Sequence, residues 1–190
     1  MFTLPSRDSR KNHLPTSFEM SSDTKFYGLS EKDNWRTPPK LLNAIREHHG
    51  GIDTDPCSGP LTWIGDYFNF DADDNGLVQM WIGTCFVNPP FSFKAKFLEK
   101  ATSEMCRAHC DTIFFVTPDA TDTKSWWHEY IAKHSNYIWF SRGRISYIGE
   151  DGKKAKSPTF GTAVSVFGET TDEMLAWFSD NGHLVKTVKT

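Results

Sequence analysis

Thr84-Cys85-Phe86-Val87-Asn88-Pro89-Pro90-Phe91-Ser92 is the stretch on which the fold turns. Thr84 to Val87 reads as a short buried strand, and it must stop at Asn88, because neither following proline has an N–H to give to a ladder. The corner that results is stiff and extended, aiming a side-chain amide, a carbonyl and a ring past the strand end. Ser92 is placed to cap a helix whose apolar stripe is Phe93, Phe97, Leu98, Ala101 and Met105, with Lys94, Lys96 and Lys100 mostly elsewhere. Thr112 to Val116 is a near-continuous apolar run, as expected of a central strand covered on both faces, and Thr117-Pro118 ends it.

The same alternation extends in both directions. Upstream, Thr37 is placed to cap a helix beginning at Pro38-Pro39, with Leu41, Leu42 and Ile45 on one face and Gly50-Gly51 past its end. A short strand then leads into Asp53-Thr54-Asp55-Pro56. Downstream, residues 122 to 133 have helical spacing, and Tyr137 to Phe140, Ile145 to Ile148 and Thr162 to Phe167 read as strands. Thr170 to Glu173 contains a capping-box spacing before a last helix. Strand and helix in turn, with a β-rich end, predict an open α/β sheet, mostly parallel, with an antiparallel C-terminal strand pair and ligands bound beyond the strand ends. Residues 1–32, polar and aperiodic, read as a flexible arm, and residues 33–190 as a single domain.

Composition narrows the function classes. With 21 basic and 24 acidic side chains, net −3, the 190-residue chain lacks the positive field of a protein that coats nucleic acid, so any such contact must be local. No stretch approaches the roughly 20 apolar residues of a membrane span, and a cytoplasmic setting is expected. Cys57, Cys85, Cys106 and Cys110 form no disulfide framework; they read as reduced thiols and no metal site is expected.

The corner itself suits one kind of chemistry. A base amino group has its lone pair delocalised into the ring, so acceptors on both of its hydrogens are wanted to make it nucleophilic. The Asn88 side-chain oxygen and the Pro89 carbonyl supply two, and Phe91 offers a face for stacking worth about 1–3 kcal/mol. A methyl donor with a good leaving group needs no covalent enzyme intermediate, and catalysis is then mainly alignment. In a duplex the target base would have to be flipped out.

Asn88-Pro89-Pro90-Phe91 resembles the Asn/Asp/Ser-Pro-Pro-Tyr/Phe signature of amino-group methyltransferases. The wider series is similar to the small phage DNA N-6-adenine methyltransferases: Trp35-Arg36-Thr37-Pro38, Asp55-Pro56-Cys57-Ser58, Gly76 to Trp81, the proline corner, and Pro118 to Thr123. The resemblance implies a Rossmann-like S-adenosylmethionine-dependent fold with helices on both faces, and transfer of a methyl group to adenine N6 in DNA. It implies that Asn88, Pro89, Pro90 and Phe91 are catalytic. Trp35, Thr37, Pro38, Asp55, Pro56, Cys57, Ser58 and Asn88 would hold the cofactor, with Thr37-Pro38 at its methionine end and Asp55 near its amino group. Asp71, Asp73 or Asp74 would accept from the ribose hydroxyls.

The Phe-x-Gly-x-Gly loop of larger methyltransferases is missing, as is a long insertion for reading sequence. Phosphate contacts are therefore expected of Arg142, Arg144, Lys153, Lys154 and Lys156. Competing readings are transfer to cytosine N4, RNA adenine or a protein glutamine, and a catalytically inactive DNA binder of the same fold. Pro56-Cys57 resembles the Pro-Cys nucleophile of cytosine-C5 enzymes, but without its glutamate partner motif it reads as coincidence. His48 and His49 at a helix end read as dipole partners, and Trp126 and Trp127 as packing.

Overall fold

The computed structural model describes residues 35–59, 63–149, 152–155 and 158–188. The expected N-terminal arm, residues 1–32, and Lys156 lie outside them. Helix α1 spans Pro39–His48, α2 Lys94–Met105, α3 Ala132–His134 and α4 Asp172–Asn181. The strands are β1 Thr54–Asp55, β2 Phe68–Asn69, β3 Gly83–Val87, β4 Cys110–Pro118, β5 Tyr137–Ser141, β6 Thr162–Gly168 and β7 Gly182–Lys186. Among the described residues they form a single mixed sheet in the order β2-β1-β3-β4-β6-β5-β7.

The first four strands are mutually parallel, with β4 at the centre of the sheet. The antiparallel part is larger than the expected terminal pair: β6 runs antiparallel between β4 and β5, and β7 lies antiparallel on β5. The expected strand Ile145–Ile148 does not enter the sheet. Only Ile148 pairs, in isolated bridges to Arg36 and Lys154. Its residues have strand-like character, but the place beside β5 is taken by β6 and β7.

Alternate residues of the same strands feed two clusters, as the two-residue period of a strand requires. Phe86, Phe114, Val116, Val164 and Val166 pack with α1 and α4 residues such as Ile45, Met174 and Phe178. Cys85, Val87, Ile113, Phe115 and Phe167 pack with Phe97, Leu98 and Ala101 of α2 and with Trp126, Trp127 and Ile131. Those last three sit on a π-helix, Lys124–Ile131, where an α-helix was expected. Its first wide turn is closed by the His128 N–H on the Thr123 carbonyl at 3.2 Å. Both neighbouring indoles, 5.8 Å apart, are buried as a result.

Three helices start one residue away from their expected caps. Pro38 rather than Thr37 is the cap of α1, and Phe93 rather than Ser92 precedes α2; neither makes a side-chain cap bond. Thr171, not Thr170, caps α4 by accepting from the Met174 N–H at 3.1 Å. Thr170 instead bonds His49, whose other ring nitrogen reaches Thr84 at 3.1 Å. Burial lowers the His49 pKa, outweighing the nearby Asp53 and Asp111 carboxylates, so it acts as a neutral strut rather than a dipole partner.

Glu104, fully buried on α2, has no counterpart in the sequence signals. It accepts from Lys100 at 2.5 Å and from the Trp81 backbone N–H at 3.2 Å, with Arg107 and His109 alongside. Burial raises its pKa, yet Lys100, the Trp81 N–H and Arg107 together outweigh burial and hold the carboxyl below its ordinary value. The Trp81 indole in turn donates to the Gly76 carbonyl at 2.8 Å. Through this chain of bonds α2 holds the Gly76–Trp81 loop.

Candidate active site

Two neighbouring parallel strands, β1 and β3, end side by side. The register pairs Thr54 with Cys85, which puts Asp55 level with Phe86 and Asn88 two residues further along the same face. The sheet thus delivers a carboxylate and an amide to one rim.

The Asn88 amide nitrogen donates to the backbone carbonyl of Trp35 at 2.7 Å. That bond fixes which way the amide points. Trp35 is held in turn, because Arg36 exchanges two backbone bonds with Ile148, at 2.9 and 3.0 Å. The Trp35 ring stacks against Tyr147 at 5.4 Å and Phe160 at 6.0 Å. Phe91 stands edge-on to all three, at 6.2 Å from Trp35, 6.5 Å from Tyr147 and 5.3 Å from Phe160. The corner therefore opens onto an aromatic cluster in which Trp35, Phe91 and Phe160 are half-buried while Tyr147 is buried, its hydroxyl 3.1 Å from Thr162 Oγ1.

Asp55 is buried, and one carboxylate oxygen accepts from the Cys57 N–H at 2.9 Å. The other has no partner among the described residues, nor does the buried Thr37 hydroxyl. Burial pushes the Asp55 carboxyl up to about 7, against the opposing pull of the Cys57 N–H. Among the described residues no cation pairs with this carboxyl. Burial also drives the Cys57 thiol well above its ordinary range, with Asp55 adding to the effect, which leaves it a poor nucleophile.

The Asp55–Ser58 segment is fixed from two sides. Ser58 donates its N–H to the Phe70 carbonyl at 2.9 Å, and Gly76 packs so closely on Pro56 that a Cβ there would overlap the Pro56 carbonyl oxygen. Of the three aspartates beyond β2, Asp71 and Asp74 bond N–H groups of their own turn, at 2.8 Å from Asp73 and 3.3 Å from Asp71 respectively. Asp73 is exposed.

The basic residues lie along the same rim. β5 runs in the direction of β4, since both are antiparallel to β6, so Arg142 and Arg144 just past Ser141 sit at the end where Asn88 emerges. Lys154 pairs with Ile148, and Lys153 accepts through its carbonyl from the Gly149 N–H at 2.8 Å. Arg142, Arg144, Lys153 and Lys154 are all exposed. Reading the sequence missed Arg36 in this set, and missed Tyr147 and Phe160 in the aromatic cluster. Tyr147 was hidden in a supposed sheet strand, and nothing local marks Phe160 as different from a core phenylalanine.

Among the described residues no group of three or more His, Cys, Asp or Glu side chains could hold a metal ion. Cys110 is buried beside Cys85, sulfur to sulfur 3.8 Å, while Cys106 is exposed. No described helix is long and apolar enough to cross a membrane.

No curated protein matches the chain. The family model described as DNA N-6-adenine-methyltransferase (Dam) matches residues 24–185, well over half of its length. A strand-end Asn-Pro-Pro-Phe corner beside a buried acidic strand end, inside that match, is consistent throughout: the chain belongs to the DNA N-6-adenine-methyltransferase (Dam) family.

Proposed function

We propose that this protein transfers the methyl group of S-adenosylmethionine to N6 of adenine in double-stranded DNA, on a base flipped out of the helix, as phage enzymes of this kind do. The observation that carries the reading is the pairing on adjacent strand ends of two features. One is an Asn88 amide oriented by Trp35; the other is an Asp55 carboxylate with one buried, unpartnered oxygen.

The residues present fit the cofactor. Asp55 would hold its ammonium and Thr37 its amino-acid end, with Trp35, Pro38, Pro56, Cys57 and Ser58 forming the surrounding wall. When bound, the cofactor supplies a methyl group on a sulfonium, an activated carbon with a neutral leaving group. Asn88 Oδ1 and the Pro89 carbonyl accept from the two amino hydrogens of the adenine and turn its lone pair toward attack. Pro89 and Pro90 keep those oxygens in place, so little reorganisation is left for the reacting complex. Phe91 supports the base. Arg142, Arg144, Lys153, Lys154 and Lys156 would meet the phosphates, which position the duplex without reading its sequence.

The fold reading is a Rossmann-like sheet with helices on both faces, supported by the two clusters fed by alternate strand residues. Residues 33–190 act as one domain, and the setting is the cytoplasm, where DNA and cofactor meet. The test is direct: incubate the protein with unmethylated duplex DNA and S-adenosylmethionine, digest to nucleosides and identify the product by mass spectrometry. N6-methyldeoxyadenosine is expected. Methylated cytosine, or no methylated nucleoside with full cofactor binding, overturns the proposal.

A further inference from the structure

The Pro118 to Thr123 segment, prominent in the sequence, has no part in the chemistry described so far. β4 and β6 pair in register as far as Pro118 and Thr162. One step beyond, a side chain continues the ladder. The Asp119 N–H donates to the Gly161 carbonyl at 3.1 Å, but the Asp119 carbonyl is turned away, accepting from the Thr121 N–H at 2.8 Å. The Gly161 N–H goes instead to Asp119 Oδ1 at 3.0 Å. A carboxylate thus stands in for the backbone acceptor at the point where the chain departs toward the π-helix. A Cβ at 161 would overlap Asp119 Oδ2, so any larger residue there would have to displace the carboxylate.

The residue this clamp presents is Phe160. It belongs to neither core cluster, it is half-buried, and its ring neighbours are Phe91 and Trp35, both residues of the site. Its plane lies at 74° to that of Phe91. A base lying on the Phe91 ring would meet Phe160 edge against face, one of the two arrangements that aromatic pairs prefer.

We infer that Phe160 forms the side wall of the acceptor pocket and fixes the lateral position of the flipped adenine, and that Asp119 is the positioning residue that holds it there. This rests on the adenine reading above. The full chain is assayed on unmethylated duplex DNA, with cofactor affinity measured by calorimetry and folding by thermal melting. Phe160→Ala is expected to raise KM for DNA about tenfold while cofactor affinity and melting stay as in the wild type. Phe160→Leu, which keeps apolar bulk without a ring, behaves likewise, and Phe160→Tyr restores the wild-type KM. Asp119→Ala reproduces the defect, and Asp119→Asn, which retains an acceptor oxygen, does not. The Asp119→Ala, Phe160→Ala double variant is no worse than Phe160→Ala alone. Wild-type KM in both Phe160→Ala and Phe160→Leu overturns the wall; additive defects in the double variant overturn the positioning role. A wild-type protein that methylates no DNA fails the adenine reading and takes this inference with it, a result distinct from either.

Discussion

The side-chain amide of Asn88 is tied to the backbone carbonyl of Trp35 by a 2.7 Å hydrogen bond across 53 residues of chain. A carbonyl can only accept, so the amide must present its nitrogen to Trp35 and its oxygen away from it. The orientation of the proposed acceptor for the adenine amino group is therefore set before any substrate arrives.

Asn88→Asp removes the donor and sets a carboxylate against that carbonyl. Methyl transfer is expected to fall about a hundredfold, the scale of a small misplacement of reacting groups, and Asn88→Ala at least as far. Cofactor affinity by calorimetry stays near wild type in Asn88→Ala. Unimpaired turnover in either variant removes Asn88 from the chemistry.

Asp55 carries a pH signature. Its carboxyl is pushed up to about 7 by burial, so below that pH the free protein holds it protonated. A cation bound beside it favours the ionised form, and cofactor binding must then release a proton. Affinity is expected to strengthen as pH rises toward about 7 and to level off above. Without ligand the sign reverses for stability: the neutral carboxyl is tolerated in the fold, and its contribution, full below 3.8, is lost as pH rises to about 7. Calorimetry across pH in two buffers of different ionisation heat reads the proton, and Asp55→Asn should abolish it. A flat affinity profile in the wild type contradicts the pairing.

Gly76 packs against Pro56 with no room for a Cβ. Gly76→Ala is expected to cost about 1–3 kcal/mol of stability, as overpacking does, and to weaken cofactor binding through displacement of the Asp55–Ser58 segment. Denaturant melts and calorimetry measure the two effects. Equal cofactor affinity in a folded variant shows that the Gly76–Trp81 loop bears on stability alone.

Glu104 should make the fold acid-sensitive. Its carboxyl is held below its ordinary value of 4.5, because its partners outweigh burial, so the stability it contributes is present above that value and lost as pH falls through the lower one. Glu104→Gln is expected to be less stable at neutral pH by about 1–3 kcal/mol, as for a buried bonded group altered in place, with the gap to wild type closing in acid. Thermal melts across pH measure it, and a gap independent of pH assigns the effect to packing.

Arg36, Arg142, Arg144 and Lys154 enter no ion pair among the described residues and share the rim at which Asn88 emerges. Replacing Arg142, Arg144 or Lys154 singly with alanine is expected to weaken DNA binding whatever the sequence. The slope of log affinity against log salt should fall by about one for each phosphate the side chain no longer neutralises. An unchanged slope in all three variants places the DNA on another surface.

Residues whose role is written in neighbouring letters were legible in the sequence. The strand-breaking prolines after Val87 located the corner, and the unbroken apolar run from Thr112 located the central strand. What stayed hidden depends on partners far along the chain. Ile145–Ile148 has a strand's composition, yet pairing is decided by which strand already occupies the sheet edge. Thr37 looks like a cap, but a hydroxyl that leaves its helix unserved and stays buried without a partner is recognised only in three dimensions. Phe160 joins the aromatic cluster only in three dimensions, through its ring contacts with Trp35 and Phe91.

The acceptor corner takes its backbone anchor from residue 35, its amide from residue 88 and its remaining rings from residues 147 and 160. No fragment of the polypeptide carries enough of it to work in part. Catalysis should therefore serve as a gauge of complete folding: in a denaturant titration, turnover is expected to disappear over the same range in which tryptophan emission shifts to the red, with no partially structured species left that still alkylates DNA.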